Sequence, residues 1–311
     1  MTKLTSQNGA PAGRFAFGAM QFGENADETA SAAMFEACLK AGISHFDTAH
    51  LYTGGASERI LGRLIKPHRD RLVIATKIGY RNPDSLSALR DEFDLSRERL
   101  GEEMVDILYL HRFNPNLSME AQITALAGMQ DEGAVRFLGL SNFAAWQAMK
   151  AQGIAKGMGT KIDVFQPMYS LVKRQAEVEI LPLCEAEGIL PAPYSPLGGG
   201  LLTGKYSAGG SGRLTEDPCY KSRYGFDWMH QAATGLGDIA TKLGTHPATL
   251  AVAWVARHSS CPNPILSARS VEQLRPSLDG VSNVMDDALY DRITALTPTP
   301  PPATERTEEH V

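Results

Sequence analysis

The sequence has no Cys-x-x-Cys pair, no His-Glu-x-x-His and no run of 18 consecutive apolar residues. Its four cysteines, Cys38, Cys184, Cys219 and Cys261, lie far apart, so neither a disulfide framework nor a thiolate metal centre organises the chain. They read as free thiols in a reducing compartment. Residues Met1 to Arg14 lack an apolar segment, which speaks against export, and a cytoplasmic location is expected. Excess charge is slight: 30 Lys and Arg against 35 Asp and Glu give −5, which disfavours nucleic acid or an anionic membrane as partner. No repeat of solenoid period and no linker divides the 311 residues, so one domain spanning 1–311 is expected.

Short runs rich in Val, Ile, Leu and Phe alternate with longer amphipathic stretches, the pattern of strands and helices in a parallel sheet. Eight runs qualify: Phe15 to Phe22, Ile43 to Thr48, Leu72 to Ile78, Asp106 to Arg112, Phe137 to Asn142, Asp163 to Met168, Leu190 to Pro196 and Pro264 to Arg269. Helical candidates between them include Thr29 to Lys40, Ser57 to Leu64, Ser87 to Glu103, Met119 to Glu132, Ala145 to Ala151, Gln175 to Glu187, His230 to Lys242 and Pro247 to His258. Eight such units with right-handed crossovers close into a (β/α)8 TIM barrel, an α/β fold, here with a C-terminal helix. An open doubly wound sheet is the alternative. Its Gly-x-Gly-x-x-Gly fingerprint is missing; the nearest imitation, Gly235 to Ala240, lies inside a helical pattern. Ser207 to Asp227 reads as a long loop of lid or binding type, and the Pro-rich tail from Pro298 to residue 311 as mobile.

Catalytic groups of such a barrel stand where strands end. Asp47 closes the second run, Lys77 the third and His111 the fourth, and Tyr52 follows Asp47 closely. Each alone has an ordinary explanation as cap, surface residue, core histidine or packing residue. Four at successive strand ends point to one site. A cation beside Tyr52 favours phenolate; at 4 Å and an effective dielectric of 20 the attraction is about 4 kcal/mol before desolvation opposes it. Lys77 is expected to be that cation, kept charged by Asp47. His111 is then free to orient a substrate oxygen.

The stretch Phe46-Asp-Thr-Ala-His-Leu-Tyr-Thr-Gly-Gly-Ala-Ser-Glu-Arg-Ile-Leu-Gly62 resembles the signature of the aldo-keto reductases. Gly139-Leu-Ser-Asn-Phe143, Phe165-Gln-Pro-Met-Tyr169, Tyr194-Ser-Pro-Leu-Gly198 with Leu201-Leu-Thr-Gly-Lys205, and Ala268-Arg-Ser-Val-Glu-Gln-Leu274 extend the resemblance along nearly the whole chain. It implies an oxidoreductase that moves a hydride reversibly between a nicotinamide cofactor and a small aldehyde, ketone or sugar-type carbonyl, with Asp47, Tyr52, Lys77 and His111 as catalytic residues and Tyr52 as general acid and base. Some members of the family act instead as cofactor-sensing regulatory proteins with little turnover, and that is the alternative function. An isomerase or aldolase using Lys77 as a Schiff base is less favoured, because Asp47 would hold the amine protonated.

A nicotinamide carboxamide needs an acceptor and a donor, which Ser141, Asn142 and Gln166 supply. Tyr194 is placed like the family's stacking aromatic, and Leu197, Gly198, Leu201 and Lys205 match its pyrophosphate loop. That loop is one residue short of a nucleotide P-loop, since Tyr206 stands where Ser or Thr must meet Mg²⁺. Arg269 precedes a helix beginning near Ser270 and suits a 2′-phosphate, so NADP(H) is favoured over NAD(H). Gln273 matches the next adenosine contact, whereas Ser277 departs from the family's Asn and Glu272 is a candidate for a ribose hydroxyl. His45, Asp47 and His50 do not share one face of a strand, and Gly139 to Phe143 lacks the last Gly of an esterase elbow, so no metal and no hydrolytic serine are expected. The substrate pocket is expected around Met20, Gln21, Phe22, Tyr80, Phe113 and the Ser207 to Asp227 segment; substrate identity and oligomeric state are left open.

Overall fold

A computed structural model describes residues 2–206, 209–306 and 308 of the chain. Eight parallel strands are found, β1 (Ala16–Gly18), β2 (His45–Asp47), β3 (Val73–Ile78), β4 (Val105–Leu110), β5 (Val135–Ser141), β6 (Ile162–Gln166), β7 (Leu190–Pro191) and β8 (Ile265–Leu266). The sheet runs β7-β6-β5-β4-β3-β2-β1-β8. Its two ends meet: the Asn263 N–H donates to the Pro191 carbonyl at 2.8 Å and the Ile265 N–H to the Pro193 carbonyl at 2.9 Å, which curls the sheet into the (β/α)8 barrel.

Helices wrap the outside: α1 (Glu28–Lys40), α2 (Ala56–Ile65), α3 (Leu86–Leu100), α4 (Met119–Asp131), α5 (Ala145–Gly157), α6 (Ile180–Glu187), α7 (Arg213–Glu216), α8 (Pro218–Tyr224), α9 (Asp227–Lys242), α10 (Pro247–Arg257), α11 (Val271–Asp279) and α12 (Asp287–Thr294). Their starts follow from local chemistry. Asp27, Ser85, Ser118, Ser270 and Asp286 each accept a hydrogen bond from a backbone N–H in the first turn, and Gly101 in the left-handed region ends α3. No helix among the described residues is long and apolar enough to cross a membrane.

Two segments differ from the sequence expectation. Gln175 to Glu187 is not one helix: a 3-10 turn at Gln175–Glu177 precedes α6, and Glu179 between them leaves helical geometry at φ −135°. Pro182 explains the break, because its ring would strike the carbonyl four residues earlier in a continuous helix, yet it is tolerated in the first turn of α6. Ser207 to Asp227 is not an open loop, since it contains α7 and α8; residues 207 and 208 lie outside the described residues. Of the tail expected to be mobile, residues 307 and 309–311 lie outside them as well.

Strand alternation divides the core. Phe17, Phe46, Ile74, Leu108, Leu138 and Phe165 point outward and are buried beneath the helices with Met34, Phe35, Leu61, Phe93 and Leu126. Ala16, Val73, Ala75, Ile107, Tyr109, Val164, Ala192 and Ile265 fill the interior, with Leu4 in the same cluster. Tyr109 pairs in register with Gly139 on β5, where an added Cβ would come within 2.3 Å of the tyrosine ring. The first glycine of the Gly-Leu-Ser-Asn motif is thus the space that a buried tyrosine occupies. Asp106 accepts from Arg136 and from the Ile74 N–H, both at 2.8 Å, and pairs with Arg69, cross-linking three strands to the helical layer.

Candidate active site

The interior faces of β2, β3 and β6 carry Asp47, Lys77 and Gln166 to the carboxyl end of the barrel. Lys77 is fully buried and donates from Nζ to Asp47 Oδ1, to the Thr48 carbonyl at 2.7 Å and to Tyr52 Oη at 3.4 Å. The second Asp47 oxygen accepts from Gln166 Nε2 at 2.9 Å. Gln166 is therefore a second donor to the carboxylate, and it also lines the cleft. The sequence reading missed this link, which requires strands 119 residues apart to face each other.

Tyr52 begins a tight turn in which Thr53, Gly54 and Gly55 all take left-handed conformations, with φ of 48°, 61° and 88°. A β-branched residue there is strained, and the strain is held locally. Thr53 Oγ1 donates to the Phe22 carbonyl at 2.9 Å and accepts from the Ser57 N–H at 2.9 Å. Ser57 Oγ lies 2.8 Å from the Ala19 carbonyl and 2.7 Å from Thr48 Oγ1. His111 stands just beyond β4, with its N–H on the Ile78 carbonyl at 2.8 Å and its ring edge-on to Tyr52 and Tyr80 at centroid distances of 5.8 and 4.9 Å.

Burial sets the ionisation of this cluster. It raises Tyr52 above the ordinary phenol value more than Lys77 lowers it, with Asp47 adding to the rise. The sequence expectation of a lowered phenol is corrected here: desolvation exceeds the attraction of one ammonium that is itself neutralised by Asp47. Burial alone would drive Lys77 toward neutrality, but Asp47, and secondarily Tyr52, hold its value above the usual lysine range. His111 is pushed down to about 2 by burial and then by the neighbouring Lys77 and Arg112 cations, so its ring is neutral.

These groups open onto a cleft of about 1280 Å³ that runs past Tyr194 and Lys205 to Arg269 and Gln273 on the rim of α11. Ser141 Oγ donates to the Gln166 carbonyl at 3.0 Å. Asn142, at φ 56°, donates from Nδ2 to the His111 carbonyl at 2.9 Å and accepts from Tyr194 Oη at 2.8 Å. Leu197 and Lys205 line the cleft, but Gly198 and Leu201 do not. Gly198 is packed so that a Cβ would lie 2.8 Å from Val172 Cγ2, and Leu201 is buried in the apolar cluster around Trp254. Gly199, Gly200 and Thr203 take their places on the wall. Phe22 is likewise fully buried against Phe17 and shapes no pocket surface, whereas Met20, Gln21, Tyr80 and Phe113 do.

Arg269 is half-buried at the start of α11, and its N–H lies 3.3 Å from Gln273 Oε1. Glu272 is held below the usual carboxylate range by its own backbone N–H and then by the Ser270 hydroxyl, and Ser270 caps α11 by accepting from the Gln273 N–H. Tyr220 and Arg223 of α8 also line the cleft. Neither was singled out in the sequence, because nothing in the spacing of α8 says which way the segment folds.

The aldo/keto reductase family model matches residues 14–298. The chain is 33% identical to aflatoxin B1 aldehyde reductase member 2 of Mus musculus, over 84% of its own length and 78% of that protein. It is 29% identical to an uncharacterized oxidoreductase of Bacillus subtilis, over 94% and 95% of the two chains. A probable voltage-gated potassium channel subunit beta of Oryza sativa is 28% identical, over 97% and 98%.

Proposed function

The chain belongs to the aldo/keto reductase family, and we propose that it transfers a hydride reversibly between NADP(H) and a small aldehyde, ketone or sugar-type carbonyl. The observation that carries this reading is the buried Asp47 and Lys77 pair with the half-buried Tyr52, opening beside a neutral His111 onto a cleft of about 1280 Å³ lined as far as Arg269 and Gln273. The bound nicotinamide would supply the hydride. Tyr52 keeps its proton until a carbonyl oxygen accepts it, and Lys77 eases that release by stabilising the phenolate left behind. Asp47, with Gln166, keeps Lys77 charged. His111, kept neutral by burial and by the neighbouring Lys77 and Arg112 cations, donates or accepts a hydrogen bond at the substrate oxygen and fixes its angle.

The cleft fits the cofactor by its donor set. Ser141, Asn142 and Gln166 would hold the carboxamide and Tyr194 the ring, with Lys205 toward the pyrophosphate and Arg269 and Gln273 toward the adenosine end. Arg269 beside a helix N-terminus suits a 2′-phosphate, which favours NADP(H). The proposal takes residues 1–311 as one cytoplasmic domain acting on a small molecule. The mouse relative bears the name of an aldehyde reductase, which supports the carbonyl class. The rice relative bears that of a channel subunit, which keeps a cofactor-sensing role as the second reading.

Paired fluorescence titrations with NADPH and NADH, followed by a carbonyl panel beginning with 4-nitrobenzaldehyde, test both readings. NADPH should bind more tightly and be oxidised by an aldehyde. Arg269→Ala should weaken NADPH roughly 10- to 100-fold, the equivalent of a charged hydrogen bond, and leave NADH nearly unchanged. Equal loss for both cofactors would remove Arg269 from the 2′-phosphate. Binding without oxidation of any carbonyl would favour the sensor.

A further inference from the structure

The Ser-Glu-x-x-Leu-Gly part of the signature lies outside the cleft's chemistry, yet its glutamate is completely buried. Glu58 accepts from Thr76 Oγ1 at 2.7 Å, one residue before Lys77, and pairs with Arg99 Nη1 at 3.2 Å. The same Arg99 nitrogen donates to the His50 carbonyl at 2.9 Å, and the His50 N–H donates to the Lys77 carbonyl at 3.0 Å. The Arg99 guanidinium also lies directly beneath Gly55, where an added Cβ would stand 2.5 Å from Cζ. Arg99 thus bonds to the chain at residue 50 and packs against Gly55 at the far end of the strained turn, and Tyr52 sits between them. It is placed to do so because α2 and α3 touch backbone to backbone, a Cβ on Gly62 falling 2.3 Å from the Leu100 carbonyl oxygen.

We propose that Arg99, anchored by Glu58, is a positioning residue that holds the Tyr52 hydroxyl within reach of the Lys77 ammonium. The proposal rests on the reductase reading for its kinetic consequence but not for its structural one. The Tyr52 to Lys77 contact is long, 3.4 Å, so a small relaxation of the turn ends it. A buried carboxylate held by one guanidinium and one hydroxyl keeps Arg99 from leaving the turn, since an unpaired charge there is strongly disfavoured.

The test compares wild type with Arg99→Lys, which retains a charge for Glu58 but lacks the fork, and with Arg99→Gln. Glu58→Gln serves if Arg99→Gln does not fold. In protein labelled with ¹³C-tyrosine, the Tyr52 resonance, assigned from its absence in Tyr52→Phe, should move in Arg99→Gln and by less in Arg99→Lys. NADPH affinity should stay within twofold, while kcat for 4-nitrobenzaldehyde falls about tenfold or more with little change in KM. An unmoved Tyr52 resonance in a folded variant overturns the proposal whatever the rate. A moved resonance in a protein whose wild type reduces no carbonyl upholds the positioning role and removes the reductase reading instead.

Discussion

Lys77 is a fully buried ammonium whose charge depends on one carboxylate, and Tyr52 is a phenol kept protonated because burial outweighs that ammonium. Identity and order of these residues were legible, since an Asp, a Lys and a His at successive strand ends are few enough to notice. Their ionisation was not, because its sign depends on how completely each side chain loses water, and no spacing encodes that. The Gln166 to Asp47 hydrogen bond was not legible for the same reason: the two are spatial neighbours only. Two buried histidines give a measurable consequence. Burial lowers His45 to about 4, with Asp47 and Asp106 opposing it, and lowers His111 to about 2. Both stay neutral in the folded chain while the unfolded chain binds protons below pH 6.5, so their stabilising contribution is complete above that value and declines as pH falls. Each should remove about 2 kcal/mol between pH 6.5 and pH 5. Urea unfolding at pH 5, 6 and 7 should show this slope, reduced in His45→Asn; a flat profile would mean these rings are protonated in the native state or solvated.

Among the elements, long periodic stretches were read almost to the residue: Met119 to Glu132 became α4, and Leu72 to Ile78 became β3. Errors fell where backbone chemistry competes with periodicity, as at Pro182, or where a Gly-rich composition concealed order, as in α7 and α8. Gly139 shows how an element carries a site indirectly. It admits the Tyr109 ring into the barrel, and Tyr109 in turn lies 5.9 Å from Lys77 Nζ at its ring centroid. Gly139→Ala should force that ring to shift and destabilise the protein by about 1–3 kcal/mol, an overpacking effect, with a lowered Tm in calorimetry. An unchanged Tm would show that the barrel interior is looser than the 2.3 Å approach implies.

At the scale of the whole molecule, eight parallel strands bring residues 47, 52, 77, 111 and 166 to one end of a closed sheet, and the cleft they border extends to the start of α11. Alternation of strands and helices made the barrel legible. The segment after the seventh strand was expected to shape the pocket and does line it, through Tyr220 and Arg223 among others; which of its residues face the cleft was not legible, because that depends on how α7 and α8 fold back over the mouth. The central claim is that Tyr52 delivers the proton when a carbonyl is reduced. Single-turnover oxidation of bound NADPH by 4-nitrobenzaldehyde, in wild type and in Tyr52→Phe, measures it directly. The account predicts that the variant binds NADPH as wild type does and reacts roughly 10²- to 10⁴-fold more slowly, the usual contribution of a positioned general acid. A variant that reacts within a few fold of wild type would contradict it.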